Sequence, residues 1–136
     1  MIRYLRSNNF WWLATLIYMG LIYYASAHTI AIDGLNSNDY RVISSLTHVA
    51  MYGGLAFLAS ISFYKSGNEL KKSCFKGFLL AIVYGITDEY HQSFVPGREA
   101  HFDDWLLDVF GSVLAVYFLI RFSTLRYFKD FFSKAE

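Results

Sequence analysis

The segment TDEYHQSFVPGR, residues 87–98, gathers side chains that can transfer protons and hold anions. Asp88 and Glu89 are carboxylates, which act as general acids or bases when they are held beside a reacting group. Arg98 carries a planar guanidinium, which binds carboxylates and phosphates through paired hydrogen bonds. On a helix, Asp88 and Gln92 share a face because they are four residues apart. The segment therefore indicates acid–base chemistry or anion binding.

Polar groups also border three other parts of the chain. Asp104 and Asp108 lie four residues apart in HFDDWLLDVFG, residues 101–111, so both fall on one helical face. His48 lies near the start of one apolar run, and Ser26 lies near the end of another. Four segments could therefore each contribute polar groups to one pocket.

A metal site is a further interpretation of the same residues. An imidazole and two carboxylates, from His48, Glu89 and Asp104, would suit a divalent ion if the fold brought them together. The strings DEYH and HFDD are too short to be metal signatures, and the chain has no HExxH motif, Walker loop or G-x-S-x-G elbow. No cofactor is predicted, and His48 is read first as a hydrogen-bonding residue, with the metal site kept as an alternative.

The composition indicates a membrane protein. Of the 136 residues, 55% are hydrophobic and only 17% are charged, against about 25% in soluble domains. The net charge is +1 and no basic patch is interleaved with aromatic residues, so nucleic acid is not an expected partner. The single cysteine excludes an intramolecular disulfide and a cysteine-based zinc site.

Four apolar runs are long enough to position these residues as membrane helices. A helix needs roughly 20 mostly apolar residues to cross about 30 Å of hydrocarbon. The first run resembles a signal peptide but exceeds the usual apolar length, so it is interpreted as an uncleaved span. The sequence predicts a single all-α, polytopic membrane domain, residues 1–136, in which four transmembrane helices form a compact bundle. The predicted spans are about 10–27, 46–64, 74–95 and 105–122.

The lysines and arginines predict the orientation of these spans, because they favour cytoplasmic loops. With a cytoplasmic N-terminus, ten of the twelve basic residues lie inside, and only Arg41 and Arg98 lie outside. Eight of the eleven acids and all four histidines then fall in the outer half. We expect both termini in the cytoplasm and an outward-facing polar site.

The run YGITDEYHQSFVPGREAHFDDWLLDVFG resembles the VanZ-like family of small bacterial membrane proteins, and the resemblance covers about residues 10–120. The family pattern is a serine ending the first helix, a histidine opening the second, E-x-x-Q-x-F-x-P-G-R, and D-x-x-x-N/D-x-x-G. Its positions here are Ser26, His48, Glu89, Gln92, Phe94, Pro96, Gly97, Arg98, Asp104, Asp108 and Gly111. The chain departs from the pattern at Ser44-Ser45, where many members have Asp-Lys, and at Asp108, where asparagine is common.

The resemblance implies a multi-pass protein of the bacterial cytoplasmic membrane. The family's namesake is linked to low-level resistance to teicoplanin, a glycopeptide that acts outside this membrane. The hypothesis is therefore a site that binds or processes a polar or phosphorylated lipid, such as a lipid-linked envelope intermediate. The candidate catalytic residues are Glu89 as acid or base, Arg98 as anion binder, and Asp104 as partner of Arg98 or of a water or metal ion. The candidate ligand-binding residues are Ser26, His48, Asp88, Gln92 and Asp108.

Two alternatives to an enzyme or lipid-binding site remain open. In the first, the chain is a non-enzymatic membrane module, an assembly partner or a modifier of lipid packing. The acids Asp88 and Glu89 would then form a structural salt bridge with Arg98 that closes a hairpin. A small transporter is the second, and it would require an oligomer, because four short helices enclose little volume. Besides membrane lipids, the sequence names no partner and does not decide whether the protein is an enzyme.

Overall fold

A computed structural model describes residues 7–28, 36–98 and 100–123. These residues form four helices and no β-strand, as the sequence predicts. The helices are α1 (Asn8–Ser26), α2 (Ser37–Lys65), α3 (Leu70–Gln92) and α4 (Phe102–Ser123).

The second helix is longer than the span predicted for it, because its N-terminus is capped. The Asn36 side chain accepts hydrogen bonds from the backbone N–H groups of Asn38 and Asp39, at 3.0 and 2.9 Å. Such a cap satisfies N–H groups that have no partner inside a helix. As a result, α2 begins at residue 37 rather than 46, and it extends past His48 by three turns towards the N-terminus.

The same helix forms the centre of the molecule. It packs against α4, α3 and α1, whereas α1 and α3 touch each other less. Its residues Tyr52, Leu55 and Ala56 are buried, with Ile22 of α1 and Ala81 of α3 packed against them. These buried residues of α2 form a core between α1 and α3.

The helices bury small polar residues and expose large apolar ones. Thr15 and Ser62 are fully buried, and their hydroxyls lie 2.9 Å apart between α1 and α2. By contrast, Leu16 of α1, Val83 of α3 and Phe110 of α4 are each more than half exposed. Helices that pack in lipid use small and hydroxyl residues at their contacts and present apolar residues outward. This distribution agrees with the membrane character that the composition indicates.

Two of the described helices are long and apolar enough to cross a membrane. They are Asn38–Lys65 within α2 and Phe102–Ser123, the whole of α4, with mean hydropathies of 1.5 and 1.7 over their best windows. The tryptophans and tyrosines of α1 and the lysines near the start of α3 reduce the hydropathy of those helices. Length and composition therefore support two of the four predicted spans.

Glycines allow α2 and α4 to approach closely. A Cβ atom at Gly111 of α4 would overlap the carbonyl group of Val49 on α2, and one at Gly53 would lie 3.1 Å from the Gly111 carbonyl oxygen. From the sequence, Gly111 would be expected to serve the contact between the third and fourth helices. That expectation is wrong, because α4 turns this glycine towards α2. The α3 contact is made by Gly85, which faces Trp105 and Asp108.

A tight turn follows α3 and aims Arg98 back at the helices. The N–H of Arg98 donates to the Val95 carbonyl over 3.1 Å, and Gly97 has φ +81°. Pro96 supplies the fixed φ of the first corner, and glycine supplies the positive φ of the second. Proline followed by glycine favours such a turn, which here follows the end of α3 at Gln92.

Candidate functional site

Polar side chains from all four helices meet at one end of the molecule, here called the polar end. It lies where the C-terminal ends of α1 and α3 meet the N-terminal halves of α2 and α4. The burial of its members differs widely. His48, Asp88, Gln92 and Asp108 are each less than 9% exposed, whereas Glu89, Arg98 and Asp104 are partly exposed.

The deepest contact of the polar end joins α2 to α4. His48 Nδ1 lies 2.8 Å from Asp108 Oδ1, and both side chains are buried. Nε2 of the same ring lies 4.0 Å from Asp104 Oδ2, one helical turn before Asp108. The two acids that the sequence places on one face of α4 therefore lie beside different nitrogens of one imidazole, and only Asp108 is within hydrogen-bond distance.

A third carboxylate approaches this group from α3. Glu89 Oε2 accepts a hydrogen bond of 3.0 Å from the backbone N–H of His101, while Oε1 is buried and has no hydrogen-bond partner. His48, Glu89 and Asp104 each offer one potential metal-ligand atom, and these three atoms lie within 4.8 Å of one another. The residues named in the sequence as a metal set are thus neighbours in space.

The other polar residues of α3 form a hydrogen-bonded chain that leads to Arg98. Gln92 donates from Nε2 to Asp88 Oδ2 over 3.0 Å, and its Oε1 accepts from Arg98 over 3.4 Å. Arg98 also donates to the backbone carbonyls of Ala25 and His28, over 3.1 and 2.9 Å. The guanidinium therefore caps the C-terminal end of α1, where carbonyl groups lack helical partners.

This arrangement differs from the salt bridges expected for Arg98. Within residues 7–28, 36–98 and 100–123, no carboxylate lies within 4.0 Å of its guanidinium, so neither Asp88 nor Glu89 closes the hairpin through it. Asp104, expected to pair with Arg98, lies beside His48 instead. The reason is geometric, because the carbonyl groups at the end of α1 take the guanidinium hydrogen bonds.

A cavity of about 150 Å³ opens between α1, α2 and α3 at the polar end. Its wall includes the apolar side chains of Ile22, Ile43 and Met51. Its polar part is made by Ser26, His48, Asp88, Gln92 and Arg98. Five of the eight predicted site residues therefore line one amphipathic cavity.

The remaining three predicted residues lie outside the wall of this cavity. Glu89 lines a separate, open depression together with Ile86, His101 and Trp105. Asp104 and Asp108 lie on the α4 side of His48. The polar end thus has two parts. One is the cavity, the other is the set of three acids Glu89, Asp104 and Asp108, and His48 borders both.

Several cavity residues were missed from the sequence. Tyr52 is buried and its hydroxyl has no hydrogen-bond partner, and Tyr40, Ser44 and Thr47 also line the cavity. All four belong to α2 at helical spacing with His48, which is a signal that could have identified them. Tyr40 and Ser44 were not considered because they precede residue 46, where the predicted span began, whereas Thr47 and Tyr52 lie inside that span and were not named as site residues.

Comparison with known protein families agrees with the pattern of these residues. No curated protein and no solved structure matches the chain. The family model described as VanZ/LLP1 matches residues 6–124, which include all four helices and every residue of the polar end described above. The chain therefore belongs to the VanZ/LLP1 family, and with its apolar outer surface and two helices of spanning length it is a membrane protein.

Proposed function

We propose that this protein crosses the bacterial cytoplasmic membrane four times, with both termini inside, and that its polar end faces outward to bind the anionic headgroup of a phosphorylated lipid. The single observation that carries the proposal is the amphipathic cavity. Arg98 lies at its polar side, and Ile22, Ile43 and Met51 provide an apolar wall. A lipid presents this same combination of a charged headgroup and apolar chains.

The hydrogen bonding of Arg98 supports the binding of an anion. A guanidinium has five N–H donors. In Arg98 both terminal nitrogens donate to carbonyl oxygens, whereas the buried Nε has no hydrogen-bond partner. Because no carboxylate of the described residues neutralises its charge, the guanidinium retains attraction for a phosphate group. Ser26 and Gln92 would orient that group, and His48 would border it from α2.

The polar end also has groups that suit reaction as well as binding. Glu89 lines the neighbouring depression and has a buried carboxylate oxygen with no partner, so it would serve as an acid or base towards a headgroup that extends past His48. A cell-envelope intermediate fits this class of ligand. A contribution to low-level teicoplanin resistance would belong to the same proposal, because that glycopeptide acts on the outer side of the membrane.

A second candidate is a non-enzymatic membrane module whose polar end only holds helices together. One observation favours it, namely the hydrogen-bonded chain from Asp88 through Gln92 and Arg98 to the carbonyl of Ala25, which ties α3 to α1. A module of this kind would lose stability with each broken link and would have no need of a ligand.

Lipid analysis of the purified protein tests the proposed ligand. The full chain would be extracted in mild detergent, and its bound lipids would be identified by mass spectrometry for wild type, Arg98→Ala and Arg41→Ala. Arg41 is a matched control, because it is exposed on α2 and does not line the cavity. We expect an anionic phospholipid to be enriched with wild type and Arg41→Ala and depleted with Arg98→Ala. Equal lipid content in all three proteins would overturn the proposal.

A further inference from the structure

We propose that His48, Glu89 and Asp104 form a binding site for one divalent transition-metal ion of the zinc or manganese class. Potential ligand atoms of the three side chains lie within 4.8 Å of one another, and they come from three different helices. The site lies beside the lipid cavity and shares His48 with it, but it requires no lipid for binding.

The first argument concerns the orientation of His48. Asp108 Oδ1 lies 2.8 Å from Nδ1, and an ionised carboxylate can only accept a hydrogen bond, so Nδ1 is the donor. In a neutral imidazole this leaves Nε2 as the free acceptor, and Nε2 is the nitrogen nearer to Asp104. A histidine that binds a metal commonly donates its other N–H to a carboxylate in this way. Asp108 is therefore a positioning residue for the site.

The second argument concerns unsatisfied groups. Glu89 Oε2 is held by the N–H of His101, while Oε1 is buried without a hydrogen-bond partner. His48 is only 8% exposed, yet its Nε2 lies 4.0 Å from Asp104 Oδ2, beyond hydrogen-bond distance. Ligand atoms of His48, Glu89 and Asp104 lie within 4.8 Å of one another, a spacing that a single ion could bridge.

The third argument is charge balance. Three carboxylates, of Glu89, Asp104 and Asp108, surround one imidazole about three turns inside α2, a helix of membrane-spanning length. Within the described parts of the chain, no lysine or arginine forms an ion pair with any of the three. Carboxylates without a lysine or arginine partner are costly at this depth, and a divalent cation would compensate two of the negative charges.

The donor atoms indicate the class of metal. One imidazole nitrogen and two carboxylate oxygens, without a thiolate, suit zinc, manganese or ferrous iron more than copper(I). Metal–ligand bonds of about 2.0–2.2 Å would draw the partly exposed carboxylates of Glu89 and Asp104 inwards. Three protein ligands leave positions open for water or for an oxygen atom of a bound headgroup.

Metal titration of the full chain tests the site. The protein would be purified in detergent, stripped with a chelator and titrated with Mn²⁺, followed by electron paramagnetic resonance, and with Zn²⁺, followed by mass spectrometry of the metal. The variants are Glu89→Gln and Asp104→Asn, with Asp103→Asn as the control, since Asp103 is an exposed acid adjacent to Asp104. We expect one ion per wild-type or control chain, and affinity at least about tenfold lower in the two site variants.

Thermal unfolding with and without the metal separates binding from folding. Wild type and Asp103→Asn should melt at a higher temperature when the ion is present, whereas Glu89→Gln and Asp104→Asn should show no such shift. The site is refuted if wild type binds neither ion, or if the site variants bind as tightly as the control. Arg98→Ala should keep the metal and lose the lipid, so this inference and the proposed lipid ligand can fail separately.

Discussion

His48 on α2 and Asp108 on α4 share a buried hydrogen bond, with 2.8 Å between Nδ1 and Oδ1. The third helix covers this pair, because Gly85 of α3 packs against Asp108 Oδ2 and against the ring of Tyr52. Asp108 Oδ2 and the Tyr52 hydroxyl are both buried without a hydrogen-bond partner. The hydrogen bond between His48 and Asp108 therefore orients the imidazole at the place where α2, α3 and α4 pack together.

Two substitutions at residue 108 should separate hydrogen bonding from charge. Asp108→Asn keeps the side-chain shape and an oxygen that can accept from His48, so we expect its melting temperature to stay close to that of wild type. Asp108→Ala leaves the N–H of a buried imidazole without its acceptor, which costs about 1–3 kcal/mol. Thermal unfolding in detergent measures both. An alanine variant as stable as the asparagine variant would show that this hydrogen bond contributes little.

The contact of α2 and α4 predicts opposite effects for two glycine substitutions. Gly111→Ala would force a methyl group against the Val49 carbonyl, and overpacking of this kind costs about 1–3 kcal/mol because the backbone cannot swing aside. Gly20→Ala is the control, since a Cβ at residue 20 meets nothing within 4 Å. The exposed helical position should gain about 1 kcal/mol from alanine.

The outcome to measure is the melting temperature of each glycine variant in the same detergent. We expect that of Gly111→Ala to fall and that of Gly20→Ala to stay equal or rise. If both variants melt together, the helices can separate at Gly111 without cost, and the close approach of α2 and α4 is not a determinant of stability.

Much of the polar end could be predicted from the sequence, because the order of the helices along the chain decides which helix ends lie together. Short connections between apolar runs bring alternate helix ends to the same side, so Ser26, His48, Glu89 and Asp104 were expected near one another. The turn at Val95-Pro96-Gly97 was also predictable, because proline and glycine favour its two corners.

The partners within the polar end could not be predicted in the same way. Arg98 donates to backbone carbonyls of α1, and every residue has a carbonyl, so no side-chain pattern marks those acceptors. The rotation of α4 about its axis depends on packing against two neighbours, which is why Gly111 contacts Val49 of α2 rather than α3. The extension of α2 to residue 37 depends on a cap by Asn36 outside the apolar run.

Glu89→Gln distinguishes a functional site from a structural network. The Glu89 carboxylate has a buried oxygen without a partner, and glutamine removes its charge while it keeps an oxygen to accept from His101. We expect the melting temperature of the metal-free variant to equal or exceed that of wild type, as is common when a site residue is neutralised. Metal binding and any activity towards a headgroup should be lost.

The rival interpretation predicts the reverse for the same variant. If the polar end only stabilises the helices, Glu89→Gln should unfold at a lower temperature than wild type, with no change in bound metal or lipid. Asp103→Asn controls for the loss of one negative charge at the same end of the molecule, because that side chain is exposed. Thermal unfolding and metal analysis of the same preparation decide between the two.

Cysteine labelling tests whether α3 crosses the membrane and in which direction. The native Cys74 is buried, so an impermeant maleimide should leave the wild-type protein unlabelled. Glu69→Cys and Ser93→Cys place exposed thiols at opposite ends of α3, before its first turn and just after its last. In spheroplasts we expect labelling at residue 93 directly and at residue 69 only after the membrane is permeabilised, because Lys65, Lys71 and Lys72 hold the second connection inside. Labelling at residue 69 alone would invert the orientation, and labelling of both from outside would mean that α3 does not cross the membrane.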